Sequence, residues 1–81
     1  MKLLIVDDEA PARERLRALV QELDDCEVLG EADTGERALA LCSQLHPDAV
    51  LLDMRMPGMS GLQVARHITA MEHPPAVIFT T

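Results

Sequence analysis

Acidic side chains that follow short apolar runs are the residues of this sequence best suited to chemistry. Asp7, Asp8 and Glu9 come directly after the first such run, and Asp53 comes directly after a later one. Ligands of open α/β sheets bind beyond the carboxyl ends of the strands, so both groups of acids are expected in one crevice. Crowded carboxylates repel one another unless a hard cation neutralises them, and oxygen ligands with room for water suit Mg²⁺. The sequence therefore predicts a magnesium-binding acid cluster.

The elements that must position these acids follow from the apolar pattern. Strands are predicted at Lys2–Val6, 26–32, 49–52 and 76–81. Three helices are predicted between them: the first at 11–23, the second from a capping-box-like start at 33–36 to about 45, and the third after Ser60. Pro11 fits the first helical turn, where its missing N–H costs nothing. Ser60 with Gln63 three residues later predicts a helix cap. The βαβαβαβ order with short links predicts a doubly wound parallel sheet.

Each predicted helix has apolar residues at helical spacing, which indicates one buried face per helix. These faces are Leu16, Leu19, Val20 and Leu23; then Ala38, Leu39, Cys42 and Leu45; and finally Leu62, Ala65, Ile68 and Met71. The strand at 26–32 is less apolar than the first strand and is expected nearer a sheet edge. A parallel strand that is apolar on both faces, such as 76–81, needs a further helix to cover it. We therefore expect residues 1–81 to be the N-terminal part of a larger α/β domain, ending after its fourth strand.

Composition restricts the class of protein. The net charge of −7 argues against direct nucleic-acid binding by this segment, because phosphate contacts need clustered basic residues. No apolar run is long enough for a signal peptide or a bilayer span, so a cytoplasmic protein without membrane contact is expected. Cys26 and Cys42 are too few and too isolated for a disulfide framework or a zinc site. His46, His67 and His73 lack partners at ligand spacing, and we interpret them as structural or solvated.

Three motifs occur in order at the predicted strand ends. They are Ile5–Glu9, then Asp53 with Pro57 and Gly61 four and eight residues later, and finally the apolar run that ends in threonine, Val77–Thr81. Together they resemble the receiver domain of bacterial two-component response regulators, which has a flavodoxin-like fold. Within that family, the chain is most similar to the receivers of the alginate-regulator and LytTR class. That finer similarity comes from 12–16 and 78–81.

The resemblance implies a role for each acid. Asp53 would be the phosphoacceptor, receiving a phosphoryl group from a sensor histidine kinase. Asp8 and Asp53 would bind Mg²⁺ through their carboxylates, Asp7 through water, and Arg55 through its backbone carbonyl. Phosphoryl transfer depends mostly on positioning and charge neutralisation, so a metal beside the accepting carboxylate suits the reaction.

The resemblance also implies roles for residues after the phosphoacceptor. Pro57 and Gly61 would shape the loop that follows Asp53. Thr81 would bond a phosphoryl oxygen after transfer and relay the change, with Thr80 the less favoured neighbour. The protein would be a regulatory phosphoacceptor rather than an enzyme, controlling a DNA-binding output domain outside this segment. The uncovered fourth strand would favour a homodimer or a strand-exchanged oligomer of this fragment.

Other classes fit the sequence less well. A hydrolase of the haloacid-dehalogenase kind would need a second acid two residues after the nucleophile, where Arg55 stands. A nucleotide-binding α/β domain would need a glycine-rich turn after the first strand, and 7–10 offers none. The remaining alternative is a receiver-like protein-interaction module that is never phosphorylated. Metal binding by Asp8 and Asp53 would distinguish that module from a phosphoacceptor.

Overall fold

The computed structural model describes residues 1–80 of the chain, and strands alternate with helices throughout this part. The elements in chain order are β1 (Lys2–Val6), α1 (Ala10–Gln21), β2 (Glu27–Ala32), α2 (Gly35–Leu45), β3 (Ala49–Leu52), α3 (Gly61–Thr69) and β4 (Ala76–Phe79). The predicted order is therefore confirmed: β1 and β3 have the predicted bounds, and the ends of the other elements differ from prediction by no more than two residues. None of these helices has the length and apolar character that a membrane crossing requires.

The four strands form one parallel sheet in the order β2-β1-β3-β4. The predicted doubly wound, flavodoxin-like sheet is thus confirmed, and β2 lies at an edge as its weaker apolar character indicated. The order reverses direction between β1 and β3, where Val6 pairs with Leu52. Such a switch point leaves a crevice beyond the strand ends, which is where open α/β sheets bind their ligands.

The core has two sides. Helices α2 and α3 cover one face of the sheet, and the fully buried side chains of that layer are Leu4, Val6, Ala38, Val50, Leu52, Val64 and Ile68. A smaller cluster of Leu3, Val20 and Ala49 lies on the other face beneath α1. Because the same strands contribute to both clusters, their continuous apolar runs are explained by burial from both sides.

Helix α1 buries less of its apolar face than the sequence predicted. It ends at Gln21, and of the four predicted residues only Val20 is buried, whereas Leu19 is 60% exposed and Leu23 is 54% exposed. Leu16 and Leu19 line an open depression together with Thr80, which follows β4. Within residues 1–80, α1 is the one helix that packs on this face, so part of its apolar surface has nothing against it.

Helix α2 differs from prediction at both ends. Thr34 is its N-cap and accepts a hydrogen bond from the backbone N–H of Arg37 at 3.2 Å. The cap therefore lies one residue after Asp33, the first residue of the predicted capping box at 33–36. Leu45, predicted to be buried, is 36% exposed because the helix ends there.

Helix α3 buries a face that is rotated from the predicted one. Gly61, Val64 and Ile68 are buried, whereas Leu62 is 52% exposed. The prediction used a constant spacing of three residues, which falls about 60° short of a full turn at every step. It therefore assigned Leu62, at the start of the helix, to the wrong face.

Candidate functional site

The two acid-bearing strand ends lie side by side in the centre of the sheet. The backbone N–H of Asp53 donates to the carbonyl of Val6 at 2.9 Å, which extends the β1–β3 pairing by one residue. On the other side of β1, the N–H of Asp7 donates to the carbonyl of Ala32 at 3.1 Å. These bonds hold the backbone of both acids in the sheet register, so their side chains emerge at the switch point.

Three carboxylates converge there. Asp7, Asp8 and Asp53 each present one carboxylate oxygen, and these three oxygens lie within 4.8 Å of one another. Asp7 is 4% exposed and Asp53 is 6% exposed, whereas Asp8 is open to solvent. The cluster predicted from the sequence is therefore present, with two acids at its base and one at its mouth.

Backbone amides fix the two buried carboxylates. The N–H of Glu9 donates to Oδ1 of Asp7 at 3.0 Å, and the N–H of Arg55 donates to Oδ1 of Asp53 at 3.0 Å. In each case the donor lies two residues after the acid, which is the geometry of an Asx turn. Each bond turns the chain away from the strand and also sets the orientation of the carboxylate.

The segment after Asp53 folds back onto it. Gly61 donates its N–H to the carbonyl of Met54 at 3.0 Å. A Cβ atom on Gly61 would lie 2.3 Å from the carbonyl oxygen of Asp53, closer than any real contact. The Ser60 and Gln63 side chains then form the predicted capping box at the start of α3. The first turn of α3 is thus seated against the backbone of the acid, and only glycine permits that approach.

The other predicted loop residue, Pro57, is exposed. Gly58 follows it with φ 74°, in the left-handed region that favours glycine. Together they form the outer turn of the segment. An open depression of about 400 Å³ lies beside it, lined by Glu9, Asp53, Met54 and Arg55. A small donor molecule therefore has space to approach the carboxylate of Asp53.

Two threonines follow β4. Thr81, the predicted switch residue, lies outside the described residues. Thr80 donates its backbone N–H to the carbonyl of Leu52 at 3.0 Å. Its hydroxyl is buried and has no hydrogen-bond partner within residues 1–80.

Arg13 is the residue at this site that sequence reasoning missed. The sequence indicated only that it lies outside the apolar face of the first helix. In the structure its Nη1 donates to the carbonyl oxygen of Asp7 at 2.9 Å, and its side chain is 20% exposed. The i, i+4 spacing of Arg13 and Arg17 was a visible signal, but their common partner Glu31 lies on a different element.

The donor set of the cluster fits Mg²⁺. This ion takes oxygen ligands at about 2.0–2.1 Å, so two oxygens on opposite sides of one ion lie roughly 4 Å apart. Carboxylate oxygens that lie within 4.8 Å of one another therefore need only small movements, or one bridging water, to share an ion. The exposure of Asp8 leaves space for the waters that Mg²⁺ retains.

Comparison with known proteins agrees with this geometry. The model of the response regulator receiver domain family matches residues 3–81. The chain belongs to the receiver domain family. It is 58% identical over its whole length to the positive alginate biosynthesis regulatory protein of Pseudomonas aeruginosa, and 40% identical to the sensory transduction protein LytT of Bacillus cereus. The predicted similarity to the alginate-regulator and LytTR class is thereby confirmed.

Solved receiver domains share the fold. The response regulator domain of Thermotoga maritima CheB superposes with a TM-score of 0.87 at 31% identity, over 98% of this chain and 58% of that one. This receiver chain also spans about a third of the length of the two curated relatives. The activities and partners of whole response regulators therefore enter below as proposals.

Proposed function

We propose that this receiver domain accepts a phosphoryl group on Asp53 from a sensor histidine kinase, in a Mg²⁺-dependent reaction. The convergence of Asp7, Asp8 and Asp53 at the switch point of the sheet is the observation that carries the proposal. The parent protein would be a cytoplasmic response regulator with a DNA-binding output domain. In this role the domain is a regulatory phosphoacceptor and not an enzyme with a separate substrate.

The proposed transfer uses the Asp53 carboxylate as nucleophile. One of its oxygens attacks the phosphorus of the donor while the bond from phosphorus to the kinase histidine nitrogen breaks, and that nitrogen keeps the electron pair. The product is an acyl phosphate on Asp53. The hydrogen bond from the Arg55 N–H holds the carboxylate of Asp53 in one orientation. Less conformational entropy is therefore lost when the phosphoryl donor aligns with it.

The other residues of the proposed site would bind the metal ion, shape the loop and respond to phosphorylation. Asp8 and Asp53 would ligate Mg²⁺ directly, Asp7 through water, and Arg55 through its backbone carbonyl. When bound, the ion neutralises charge on the carboxylates and on the phosphoryl oxygens. Pro57 and Gly61 would keep the loop after Asp53 in the receptive shape. Thr81 would draw toward the phosphoryl group once it is in place, and so pass the change to the rest of the protein.

Intact-mass spectrometry tests this proposal. The chain is incubated with a small phosphodonor, with and without Mg²⁺, alongside Asp53→Asn and the matched control Asp33→Asn. Asp33 is also an acid that follows a strand, but it is exposed and lies outside the cluster. We expect a phosphoryl adduct that requires both Mg²⁺ and Asp53 and that Asp33→Asn retains. An adduct that survives in Asp53→Asn would refute the assignment of the acceptor.

The same samples test the interaction-module alternative. A module used only for protein contacts would show neither an adduct nor Mg²⁺-dependent changes at the acid cluster. Nuclear magnetic resonance spectra of the amides of Asp8 and Asp53 during a Mg²⁺ titration supply the second measurement. Saturable shifts at these amides support the phosphoacceptor, and their absence supports the contact module.

We also propose that this chain self-associates through β4. The strand lies at the sheet edge, and both Ile78 and Phe79 are exposed, by 46% and 39%. An open edge with apolar side chains on both faces favours pairing with a second copy, as a dimer or by strand exchange. Light scattering at several concentrations should show a mass that rises toward the dimer. A monomer at every concentration would contradict this proposal.

A further inference from the structure

Three charged side chains form a network directly behind the acid cluster. The Nε of Arg13 donates to Oε1 of Glu31 at 3.2 Å, and the Nε of Arg17 donates to Oε2 of the same carboxylate at 2.6 Å. Both arginines lie on α1, one helical turn apart, and Glu31 lies on β2. The carboxylate of Glu31 therefore bridges the two arginines and ties α1 to the edge strand of the sheet.

Arg13 alone among the three extends the network to the cluster. While its Nε is held by Glu31, its Nη1 donates to the carbonyl oxygen of Asp7 at 2.9 Å. A guanidinium is a rigid planar fork, so fixing it at two atoms fixes its plane and its position. The carbonyl of Asp7 is consequently bound to a group that α1 and β2 hold in place.

Three hydrogen bonds fix Asp7, two at its backbone and one at its carboxylate. The N–H of Asp7 is bonded to Ala32, its Oδ1 to the N–H of Glu9, and its carbonyl to Arg13. That carbonyl belongs to the peptide unit that joins Asp7 to Asp8. Rotation of this peptide would swing the exposed Asp8 carboxylate relative to Asp53, and the bond from Arg13 opposes that rotation.

We propose that Arg13 is a positioning residue of the metal site, holding the peptide between Asp7 and Asp8 so that both carboxylates face Asp53. This inference rests on the proposed function, because it concerns the binding of Mg²⁺ by the same acids. Arg13 touches neither the metal nor the phosphoryl donor in this role. It acts through the backbone of Asp7.

Arg17 supplies a matched control. It has the same charge, lies on the same helix and binds the same carboxylate, but its bonds end at Glu31 and its side chain is 40% exposed. Arg13→Gln and Arg17→Gln each remove one positive charge and one partner of Glu31. Only Arg13→Gln also disturbs the hydrogen bond to the Asp7 carbonyl.

The sign of the change in Mg²⁺ affinity distinguishes a positioning role of Arg13 from a purely electrostatic one. Removing a cation from the neighbourhood of a metal site strengthens Mg²⁺ binding by simple Coulomb attraction. Loss of a residue that orients metal ligands weakens binding instead, typically about 10–100-fold. We expect Arg13→Gln to weaken Mg²⁺ binding by about tenfold, whereas Arg17→Gln leaves it unchanged or slightly tighter. Arg13→Lys, which keeps the charge but cannot hold both partners, should also weaken it.

The experiment is a Mg²⁺ titration of each variant of this chain, followed by amide chemical shifts, because the sequence has no tryptophan or tyrosine for fluorescence. Thermal unfolding without Mg²⁺ is measured in parallel. Similar unfolding temperatures for Arg13→Lys and Arg17→Gln, together with Mg²⁺ binding that is weaker in both Arg13 variants than in Arg17→Gln, support a positioning role for Arg13.

Two results would overturn the inference while leaving the proposed function standing, and a third would overturn both. If the unaltered chain binds Mg²⁺ and both Arg13 variants bind it as tightly or more tightly, Arg13 has no positioning role and the phosphoacceptor proposal stands. If the affinities fall only in step with unfolding temperature, including in Arg17→Gln, the network is merely structural. A chain that binds no Mg²⁺ at all overturns both proposals together.

Discussion

Replacing Gly61 with alanine tests whether the seating of α3 controls the geometry of Asp53. The added Cβ would lie 2.3 Å from the carbonyl oxygen of Asp53 and 2.6 Å from the Cα of Met54. Both atoms belong to the backbone, so no flexible side chain can move aside. Ordinary van der Waals contact begins at 3.4 Å, which means that the strand end and the helix start must separate by at least about 1 Å.

The loss of stability in Gly61→Ala can be estimated from this displacement. Overpacking of this kind costs about 1–3 kcal/mol, and weakening the Gly61 to Met54 hydrogen bond adds roughly 1 kcal/mol. Alanine is favoured over glycine in helices by up to about 1 kcal/mol, which offsets part of the cost. We therefore expect the free energy of unfolding of Gly61→Ala to fall by about 1–3 kcal/mol. A misplacement of 1 Å at a reacting group slows chemistry by about 100-fold, so phosphorylation of Asp53 should fall more than stability does.

Gly58→Ala is the matched control. Gly58 lies in the same loop at φ 74°, and nothing lies within 4 Å of the place its Cβ would occupy. Alanine there bears only the cost of a left-handed backbone, roughly 1–2 kcal/mol. The two variants should therefore lose comparable stability for different reasons. Only Gly61→Ala moves the backbone of Asp53.

The assay combines urea unfolding with the rate of Mg²⁺-dependent phosphoryl adduct formation, both measured on the two variants and the unaltered chain. We expect a rate loss of about two orders of magnitude in Gly61→Ala at urea concentrations where it stays folded. Gly58→Ala should form the adduct at nearly the unaltered rate. Equal stability and an equal rate in Gly61→Ala would refute the claim that this glycine is required next to Asp53.

Two further predictions concern packing and the thiols. A Cβ on Gly35 would lie 2.7 Å from Cγ2 of the buried Val64. Gly35→Ala should therefore lower the urea midpoint by an amount equivalent to about 1–3 kcal/mol. An unchanged midpoint would show that α2 and α3 can separate at no cost. Burial raises the pKa of the Cys42 thiol, so at pH 8 this thiol should hold less reactive thiolate in the folded chain than in denaturant, and it should react more slowly with iodoacetamide when the chain is folded. The difference between the folded and denatured chain should shrink as the pH rises through the raised pKa, and equal rates for Cys42 in both states at pH 8 would contradict the prediction.

The acid cluster was predictable because it depends on features that are local in sequence. Each acid follows an apolar run directly, and parallel strands place their carboxyl ends at one edge of a sheet. Asp7 and Asp53 therefore meet once β1 and β3 pair, whatever the details of the helices. The capping box at Ser60 was predictable for the same reason, since both of its bonds lie within four residues.

The exposed leucines show where local pattern failed. Leu19, Leu23 and Leu62 all occur at helical spacing with buried residues, but each is more than half exposed. Spacing identifies a stripe along a helix, and it does not say how much of that stripe another element covers. The coverage depends on which strands lie beneath each helix, which is decided by the tertiary arrangement.

The alternation of strands and helices, the parallel sheet and the acids at its carboxyl edge follow from the sequence alone, because strand periodicity and turn chemistry depend on a few neighbouring residues. The contacts that join distant segments depend instead on the folded arrangement. Arg13 reaches the Asp7 carbonyl only because Glu31 on β2 holds its guanidinium, and Gly61 touches Asp53 only because the loop closes on the strand end. Such contacts depend on strand register and helix position, which are set by packing across the whole domain.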